Sequence, residues 1–334
     1  MYLDFDLTKP CDVVAFGRAT IDLYANEIGN LEDALTLSKY VGGSPANTAV
    51  AMAQLGLSVG YIGKVSDDPF GRYITSYLNK KGVDVSHIVV AEPGIRSGIT
   101  IGEIKPGECN CFMYRRDCAD LHINCAQLDE DYIAKHKMIL ISGTSLSHSP
   151  AREAVFLAIA IAHRNGTKVV LDLDYRDGTW DSPEEASVYY MLAAENADMV
   201  VGTRDEFDVM EYLFDPSNRD NEKSAHRLLD KGVSLVSIKQ GKKGSFIYTR
   251  EKTYIGGVYP TEVLKSFGAG DSYSSAFTYG LLKGKTIDEA LKYAAAAASI
   301  TITGHSCSDA MPDLGQVERY MEEHEYVLPN GVIG

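Results

Sequence analysis

The chain has 334 residues, of which 45% are hydrophobic and 23% are charged, a composition typical of a globular protein with a sizeable core. Aspartate and glutamate number 46 against 32 lysine and arginine residues, so the formal net charge is −14. This acidity argues against nucleic acid or an anionic membrane as a main partner, because both carry negative charge themselves. It does not exclude a nucleotide, which needs only a local anion site.

The absence of a recognisable secretion signal, together with the cysteine pattern, leads us to expect a cytoplasmic protein. Residues 1–10 lack the basic and apolar pattern of a secretion signal, and no apolar run is long enough to cross a membrane. We therefore expect the six cysteines to be reduced thiols. Four of them fall in the segment from Cys109 to Cys125, but the absence of a Cys-x-x-Cys pair favours buried or semi-exposed thiols over structural zinc.

The N-terminal region predicts a strand followed by a glycine-rich helix start. The apolar run 11–17 predicts a buried strand, and Asp22 follows near a strand end, where α/β proteins place ligand-binding groups. From the pattern alone, an ordinary turn aspartate is favoured at this position. Ser44 and Pro45 predict an N-cap and first helical residue, Gly43 allows close backbone approach, and Asn47 could point its amide at the same ligand.

The segment 97–115 predicts a hairpin outside the βα rhythm of the chain. Two β-type runs, 97–104 and 108–115, are joined by Lys105-Pro106-Gly107, which suggests a small second sheet. If the strand continues through them, Arg115 and Arg116 should point to its opposite faces. One of them could bind a carboxylate, although the pattern alone favours two solvated arginines on an edge strand.

From residue 137 onward, strands and helices alternate regularly, which predicts a parallel sheet covered by helices on both faces. Asp172, Asp174 and Arg176 close one of these strands at its carboxyl edge. Thr203, with Glu206 three residues later, predicts a capping box at the start of a helix.

The stretch 268–271 has the pattern of a phosphate-binding helix start. Gly268, Ala269 and Gly270 open a helix whose first N–H groups lack intrahelical partners and can bind phosphate. Asp271 would repel a phosphate there, so a carboxylate suits a base that takes a proton from an attacking hydroxyl. A structural aspartate that stabilises the helix dipole is an equally good interpretation of this stretch alone.

The two glycine motifs, 42–47 and 268–271, resemble those of the ribokinase (PfkB-type) carbohydrate kinases, and the resemblance runs across nearly the whole chain. It implies one kinase domain over 1–334 with a central, mostly parallel α/β sheet and helices on both faces. It also implies a small β-sheet lid built from about 18–40 and 96–118. The cofactors implied are ATP and Mg²⁺, and a homodimer through the lid is expected.

The resemblance assigns roles to individual residues. Asp271 is the expected base, and the N–H groups of Gly268, Ala269 and Gly270 are the expected anion hole for the transferred phosphoryl group. Glu206 is expected to organise magnesium through water. The residues expected to bind the sugar are Asp22, Gly43, Asn47, Tyr114, Arg115, Arg116, Asp174 and Arg176. The residues expected to bind the nucleotide are Lys239, Gly241, Gly244, Ala297 and Ser306.

Two departures from the family pattern affect the expected cation sites. Thr203 replaces the asparagine of the Asn-x-x-Glu motif, so the metal-water network is expected to differ. Lys265 replaces an aspartate that helps to hold potassium in the family, which suggests an enzyme that does not depend on potassium.

The run Tyr114-Arg115-Arg116 is similar to the pair that kinases of keto-deoxy sugar acids use to bind a carboxylate. A sugar acid is therefore the expected class of substrate. The rival assignments within the kinases are a 2-keto-3-deoxygluconate kinase, which also acts on such an acid, and a fructokinase. A non-catalytic nucleotide-sensing protein on the same fold is the alternative from a different functional class.

Overall fold

The computed structural model describes residues 3–105 and 109–329. The strands of this described part are β1 (Cys11–Phe16), β2 (Thr20–Ile28), β3 (Leu37–Gly42), β4 (Val59–Val65), β5 (Val83–Val90), β6 (Ile99–Ile104), β7 (Cys111–Tyr114), β8 (His136–Ser142), β9 (Lys168–Asp172), β10 (Met199–Thr203), β11 (Leu235–Lys239), β12 (Ser245–Tyr248) and β13 (Thr253–Gly256). The helices are α1 (Ser44–Gln54), α2 (Pro69–Lys80), α3 (Glu130–Ala134), α4 (Ala151–Arg164), α5 (Pro183–Ala194), α6 (Arg204–Met210), α7 (Asn221–Lys231), α8 (Ala269–Leu282), α9 (Ile287–Thr301) and α10 (Leu314–Glu323).

The large sheet has nine strands in the order β13-β12-β11-β10-β9-β8-β1-β4-β5. The pairs β11–β12 and β12–β13 are antiparallel, and the other neighbours pair in parallel. The parallel strands bring their carboxyl ends to one edge of the sheet, where α/β proteins bind their ligands. The predicted mostly parallel α/β sheet is confirmed.

The core lies in two layers, one on each face of the large sheet. In β1, Val13 and Ala15 face the layer that contains α1, α8 and α9, whereas Val14 and Phe16 face the layer that contains α4, α5 and α7. A central parallel strand buried on both faces consists of a continuous apolar run, as the segment 13–16 does.

A second sheet of four strands, ordered β3-β2-β6-β7, forms a small lid beside the large sheet. The predicted hairpin is confirmed, because β6 and β7 pair in antiparallel register from Ile99–Tyr114 to Gly102–Cys111. The predicted turn residues Pro106 and Gly107 lie outside the described residues. No helix within the two described ranges has the length and apolar character required to cross a membrane.

The start of α1 differs from its prediction. Ser44 is the first helical residue and Gly43, with φ of +93°, is the N-cap, so the prediction of a serine cap is wrong. A Cβ on Gly43 would lie 2.5 Å from the carbonyl oxygen of Arg18, which excludes a side chain at this position. The hydroxyl of Ser44 is thereby free to bond elsewhere.

Candidate active site

A polar chamber of about 340 Å³ lies between the carboxyl edge of the large sheet and the lid. It continues into a larger, mainly apolar chamber of about 740 Å³, since both share Thr203, Lys239, Ser266 and Gly270. The polar chamber contains side chains from β2, β7 and the ends of β9 and β11, so residues far apart in the sequence meet there.

The first turn of α8 separates the two chambers. Gly268 caps this helix with φ of +81°, and a Cβ there would come within 3.1 Å of the Cys307 thiol. A Cβ on Gly270 would lie 3.3 Å from Lys239 Nζ. Glycine at 270 therefore allows a lysine ammonium to approach N–H groups that have no intrahelical partner, which creates a strongly anion-attracting position.

Asp271 is held by two donors from α1. Ser44 Oγ donates to Asp271 Oδ1 at 2.7 Å, and Asn47 Nδ2 donates to Asp271 Oδ2 at 2.8 Å. Burial, followed by the nearby charge of Asp174, raises the pKa of Asp271 to about 7, although these two hydrogen bonds oppose the shift. A carboxylate with this pKa and a fixed orientation is suited to take a proton at neutral pH.

Asn47 also has an unused acceptor. Its Oδ1 is buried and finds no donor among the described residues, although Nδ2 is engaged by Asp271. An orphaned buried oxygen is costly unless a ligand supplies a donor. A sugar hydroxyl bound beside Asp271 would supply one, which agrees with the role expected of Asn47.

Lys239 places a positive charge beside Gly270 at the start of α8. Its Nζ lies 3.7 Å from Asp172 Oδ1, and Ser274 Oγ donates to the other oxygen of Asp172 at 3.0 Å. Burial lowers the pKa of Lys239, but the negative charges of Asp172, Glu206 and Asp271 outweigh burial. The net effect is a raised pKa of Lys239. The lysine therefore stays charged, which suits it to attract an anion.

Glu206 is fixed at the start of α6 by the predicted capping box, which the structure confirms. Its Oε2 accepts from the N–H of Thr203 at 2.7 Å, and its Oε1 accepts from the N–H of Tyr175 at 3.1 Å. Burial raises the pKa of Glu206, and the charge of Lys239 opposes this effect. The carboxylate is thus rigidly oriented toward the chamber that it lines.

Asp174 links two arginines at the opposite wall. Its Oδ1 lies 2.5 Å from Arg176 Nη2, while its Oδ2 accepts from Ser142 Oγ at 2.9 Å and lies 3.4 Å from Arg18 Nη2. Burial would raise the pKa of Asp174, but Arg176 and Arg18 outweigh burial and lower it. Asp174 has a φ of +40°, and backbone strain of this kind is concentrated at functional sites.

Asp22 comes from the lid strand β2. Tyr24 Oη donates to it at 2.6 Å and Thr20 Oγ1 at 3.0 Å. Burial raises the pKa of Asp22, whereas these hydrogen bonds lower it. A Cβ on Gly42 would lie 2.0 Å from this carboxyl group, so the first glycine of the motif makes room for Asp22.

The three expected lid residues at 114–116 lie outside the group of side chains that line the chamber. The prediction of opposite strand faces required a strand that continues through residue 116, but β7 ends at Tyr114. Beyond its end, Arg115 is buried and Arg116 is exposed. Arg115 is already occupied, since its Nη2 and Nε lie 2.5 and 2.9 Å from Asp120 Oδ2 and Nη2 also donates to Thr144 O. Tyr114 is 65% exposed.

Only some of the residues that we expected to bind a nucleotide line the apolar chamber. Gly241 and Gly244 line it together with Lys239. Ala297 is buried inside α9 and Ser306 Oγ accepts from the N–H of Asp309, and neither lines this chamber. The α9 side chains that line it are instead Ala295, Ala298 and Ser299.

Lys265 is fully buried behind the glycine turn. Its Nζ donates to the carbonyl oxygen of Phe267 at 2.7 Å and to that of Thr301, the last residue of α9, at 3.5 Å. Burial lowers the pKa of Lys265, and the nearby Cys307 and Asp271 oppose this. The ammonium thus connects two carbonyl groups that lie close behind the helix start.

Sequence reasoning did not select several chamber residues. Arg18, Asp172 and Cys307 line the polar chamber, and Ser44 was assigned to a helix cap instead of to Asp271. The position of Arg18 directly after β1 was the signal that could have identified it, because loops after parallel strands carry ligand-binding groups.

A carboxyl group next to a glycine-rich helix start, with a lysine beside it and a small sheet above it, is the arrangement expected of a phosphoryl-transferring enzyme of the ribokinase fold class. Residues 11–314 match the pfkB family of carbohydrate kinases. The chain belongs to this family.

Close relatives cover nearly the whole chain. A 5-dehydro-2-deoxygluconokinase from Geobacillus kaustophilus is 51% identical over 97% of this chain and 97% of its own length. A protein of the same name from Bacillus subtilis is 49% identical over 96% of this chain and 99% of its own length.

Solved structures match the fold at lower identity. A fructokinase from Xylella fastidiosa with bound ATP has a TM-score of 0.83 and 23% identity, covering 93% of this chain and 98% of its own. A fructokinase double mutant from Vibrio cholerae, bound to fructose, ADP and potassium, has a TM-score of 0.82 and 24% identity, with coverage of 93% and 98%.

Replacing the expected base tests its role. We expect Asp271→Asn to fold normally and to lower kcat by at least about a hundredfold, because an amide cannot take the proton of the attacking hydroxyl. Steady-state kinetics of phosphoryl transfer to the sugar measure this. The matched control is Asp205→Asn, an exposed aspartate in the first turn of α6. Turnover near that of the wild type would refute the assignment.

The pKa of Asp271 sets the expected pH dependence. A base acts only when deprotonated, so with a pKa raised to about 7 the reactive fraction is lost as the pH falls through that value. We expect kcat/KM to decline below about pH 7 and to level off above it. A profile of kcat/KM against pH tests this, and a value that stays flat down to pH 5 would contradict it.

Proposed function

We propose that this chain is an ATP-dependent sugar-acid kinase that phosphorylates the 6-hydroxyl of 5-dehydro-2-deoxy-D-gluconate in the breakdown of myo-inositol. The main support is the near full-length identity of 49–51% with relatives that carry the name of this kinase. The contact of Asp271 with Ser44 and Asn47, beside a free helix start, supports catalysis over a purely sensing role.

In the proposed mechanism, the 6-hydroxyl lies against Asp271, which takes its proton as the new oxygen–phosphorus bond forms. The N–H groups of Gly268, Ala269 and Gly270 stabilise the charge on the equatorial oxygens of the phosphoryl group. Lys239, adjacent to Gly270, adds a fixed positive charge on the same side. The base and the anion hole thus act on opposite ends of one bond.

The chamber fits a magnesium ion that is held mainly by the nucleotide. Within residues 3–105 and 109–329, no group of three or more His, Cys, Asp or Glu side chains could hold a metal by itself. Magnesium commonly uses phosphates, waters and one or two carboxylates, and Glu206 and Asp172 both line the chamber. Glu206 would act through water, and the ion would neutralise charge on the phosphates.

The two chambers match the two expected ligands in polarity. The larger chamber, with Tyr273, Ala295 and Ala298 in its wall, suits an adenine ring that needs an apolar surface. The smaller chamber holds charged and polar side chains that suit a hydroxylated acid. The lid contributes Asp22 and Met113 to the smaller chamber, so closing it would exclude water that could otherwise hydrolyse ATP.

A substrate panel tests the proposed function. The purified protein is given Mg-ATP with 5-dehydro-2-deoxygluconate, 2-keto-3-deoxygluconate, fructose or no sugar, and ADP release is followed. We expect the highest kcat/KM with the first acid and a product that carries phosphate on C6 by NMR. A higher kcat/KM with either rival would contradict the substrate. If none of the three sugars causes ADP release, the nucleotide-sensing alternative is favoured.

We propose that the Lys265 ammonium takes the place of a monovalent cation behind the anion hole. The support is its direct contact with Phe267 O, one residue before Gly268, and with the carboxyl end of α9, where a positive charge is favoured. Turnover should then be the same in potassium and in sodium buffers of equal ionic strength. Strong activation by potassium would contradict this role.

We propose that the lid also pairs with that of a second copy. Its surface exposes large apolar side chains, with Leu35 at 90% and Phe112 at 49% exposure, and β7 is an edge strand of the lid. Exposed apolar side chains of this kind are typical of interfaces. Sedimentation should show a dimer that Leu35→Lys with Phe112→Lys weakens, and a wild-type monomer at the same concentration would contradict the pairing.

We propose a cytoplasmic location for this kinase. ATP is the phosphoryl donor in the proposed reaction, and it is supplied inside the cell. The six cysteines are all free thiols in the structure, as they are in reducing compartments. Cell fractionation tests the location, and recovery of the protein outside the cytoplasmic fraction would contradict it.

A further inference from the structure

We propose that Arg18 binds the carboxylate of the sugar acid and thereby makes the enzyme prefer acids to neutral sugars. This inference rests on the proposed function and names the residue that recognises the charged end of the substrate. Its basis is an unusual feature of the polar chamber, a buried guanidinium whose hydrogen-bond donors are mostly unused.

The guanidinium of Arg18 is only 5% exposed, and the residue lines the polar chamber. Its Nη2 lies 3.4 Å from Asp174 Oδ2, and its Nη1 contacts only the thioether of Met113, at 3.7 Å. Its Nε is buried and has no acceptor among the described residues. A guanidinium has five N–H donors, so most of those on Arg18 lack a good acceptor.

Such an arrangement is unfavourable without a ligand. A buried charge with unfilled donors loses its hydration and gains little in return. In agreement, burial lowers the pKa of Arg18, and the charge of Asp174 offsets this only in part. A carboxylate presents two oxygens in the geometry that a guanidinium fork accepts, so a bound acid would supply the missing partner.

Arg18 and Asp271 have different neighbours in the wall of the polar chamber. Arg18 contacts Asp174 and, on the lid strand β7, Met113, whereas Asp271 contacts Ser44 and Asn47 of α1. In a six-carbon acid, the carboxylate is at the opposite end of the chain from the 6-hydroxyl. When the 6-hydroxyl lies at Asp271, the carboxylate therefore lies toward the other side of the chamber.

The other arginines near the chamber are less suitable. Arg115 is saturated by Asp120 and Thr144 and does not line the chamber. Arg176 is engaged on two sides, because its Nη2 lies 2.5 Å from Asp174 Oδ1 and its Nη1 donates to the carbonyl oxygen of Tyr175 at 3.0 Å. Arg18 is thus the arginine of the chamber wall with donors to spare.

The test compares an acid with a neutral substrate of the same shape. The probes are 5-dehydro-2-deoxygluconate and its analogue in which the carboxylate is reduced to a primary alcohol. We expect Arg18→Gln to raise KM for the acid by about 10- to 150-fold, the range for hydrogen bonds to charged groups. KM for ATP and kcat/KM for the neutral analogue should stay near the wild-type values, because neither depends on the carboxylate.

Two further variants guard against a structural explanation. Arg18→Lys keeps the charge but loses the fork, so its KM for the acid should lie between those of the wild type and Arg18→Gln. Arg96→Gln, at an arginine whose side chain is 67% exposed, is the matched control and should behave as the wild type. Thermal melting of each variant verifies the fold, and Arg18→Lys alone decides the question if Arg18→Gln does not fold.

The outcomes separate this inference from the function on which it rests. If the wild type does not phosphorylate the acid, the proposed function and the role of Arg18 both fall. If the wild type does so, but the Arg18 variants affect the acid and the neutral analogue equally or not at all, only the role of Arg18 is overturned. If the Arg18 variants lose activity on the acid but keep it on the neutral analogue, the result supports both the proposed function and the role of Arg18.

Discussion

The active site depends on one contact between two helices that are distant in the sequence. Ser44 and Asn47 of α1 each donate to one oxygen of Asp271 on α8. The two helices belong to the same apolar layer, where Ala46, Val50 and Phe277 are buried. Because the core fixes the helices and the hydrogen bonds fix the carboxylate, the proposed base is already oriented before a substrate binds.

Several carboxyl groups lie close together in the site, and their surroundings shift their pKa values in different directions. Burial raises the pKa of Asp271 to about 7, whereas two arginines lower the pKa of Asp174 within the same chamber. Groups whose environments push their pKa values apart are suited to different tasks. Here the first is poised to exchange a proton, and the second stays charged and holds arginines in place. Lys239 and the helix start supply the opposing positive field.

Much of the fold and the catalytic motif could be predicted, because the signals are local. The capping box at Thr203 was recognised from four residues. The partner of Ser44 was missed because it lies 227 positions away, and a serine before a proline also suits a helix cap. Strand alternation would place Arg115 and Arg116 on opposite faces only if the strand reached them, and β7 ends at Tyr114. The alternation could not reveal that Asp120 already occupies the buried one.

A crystal structure with Mg-ADP, a planar phosphoryl mimic and the sugar acid would test the central claim most directly. The account predicts that the mimic lies within about 3 Å of the N–H groups of Gly268, Ala269 and Gly270, the distance of a hydrogen bond. It also predicts that the 6-hydroxyl contacts Asp271 on the opposite side. A mimic bound away from 268–271, or a hydroxyl that does not reach Asp271, would contradict the account.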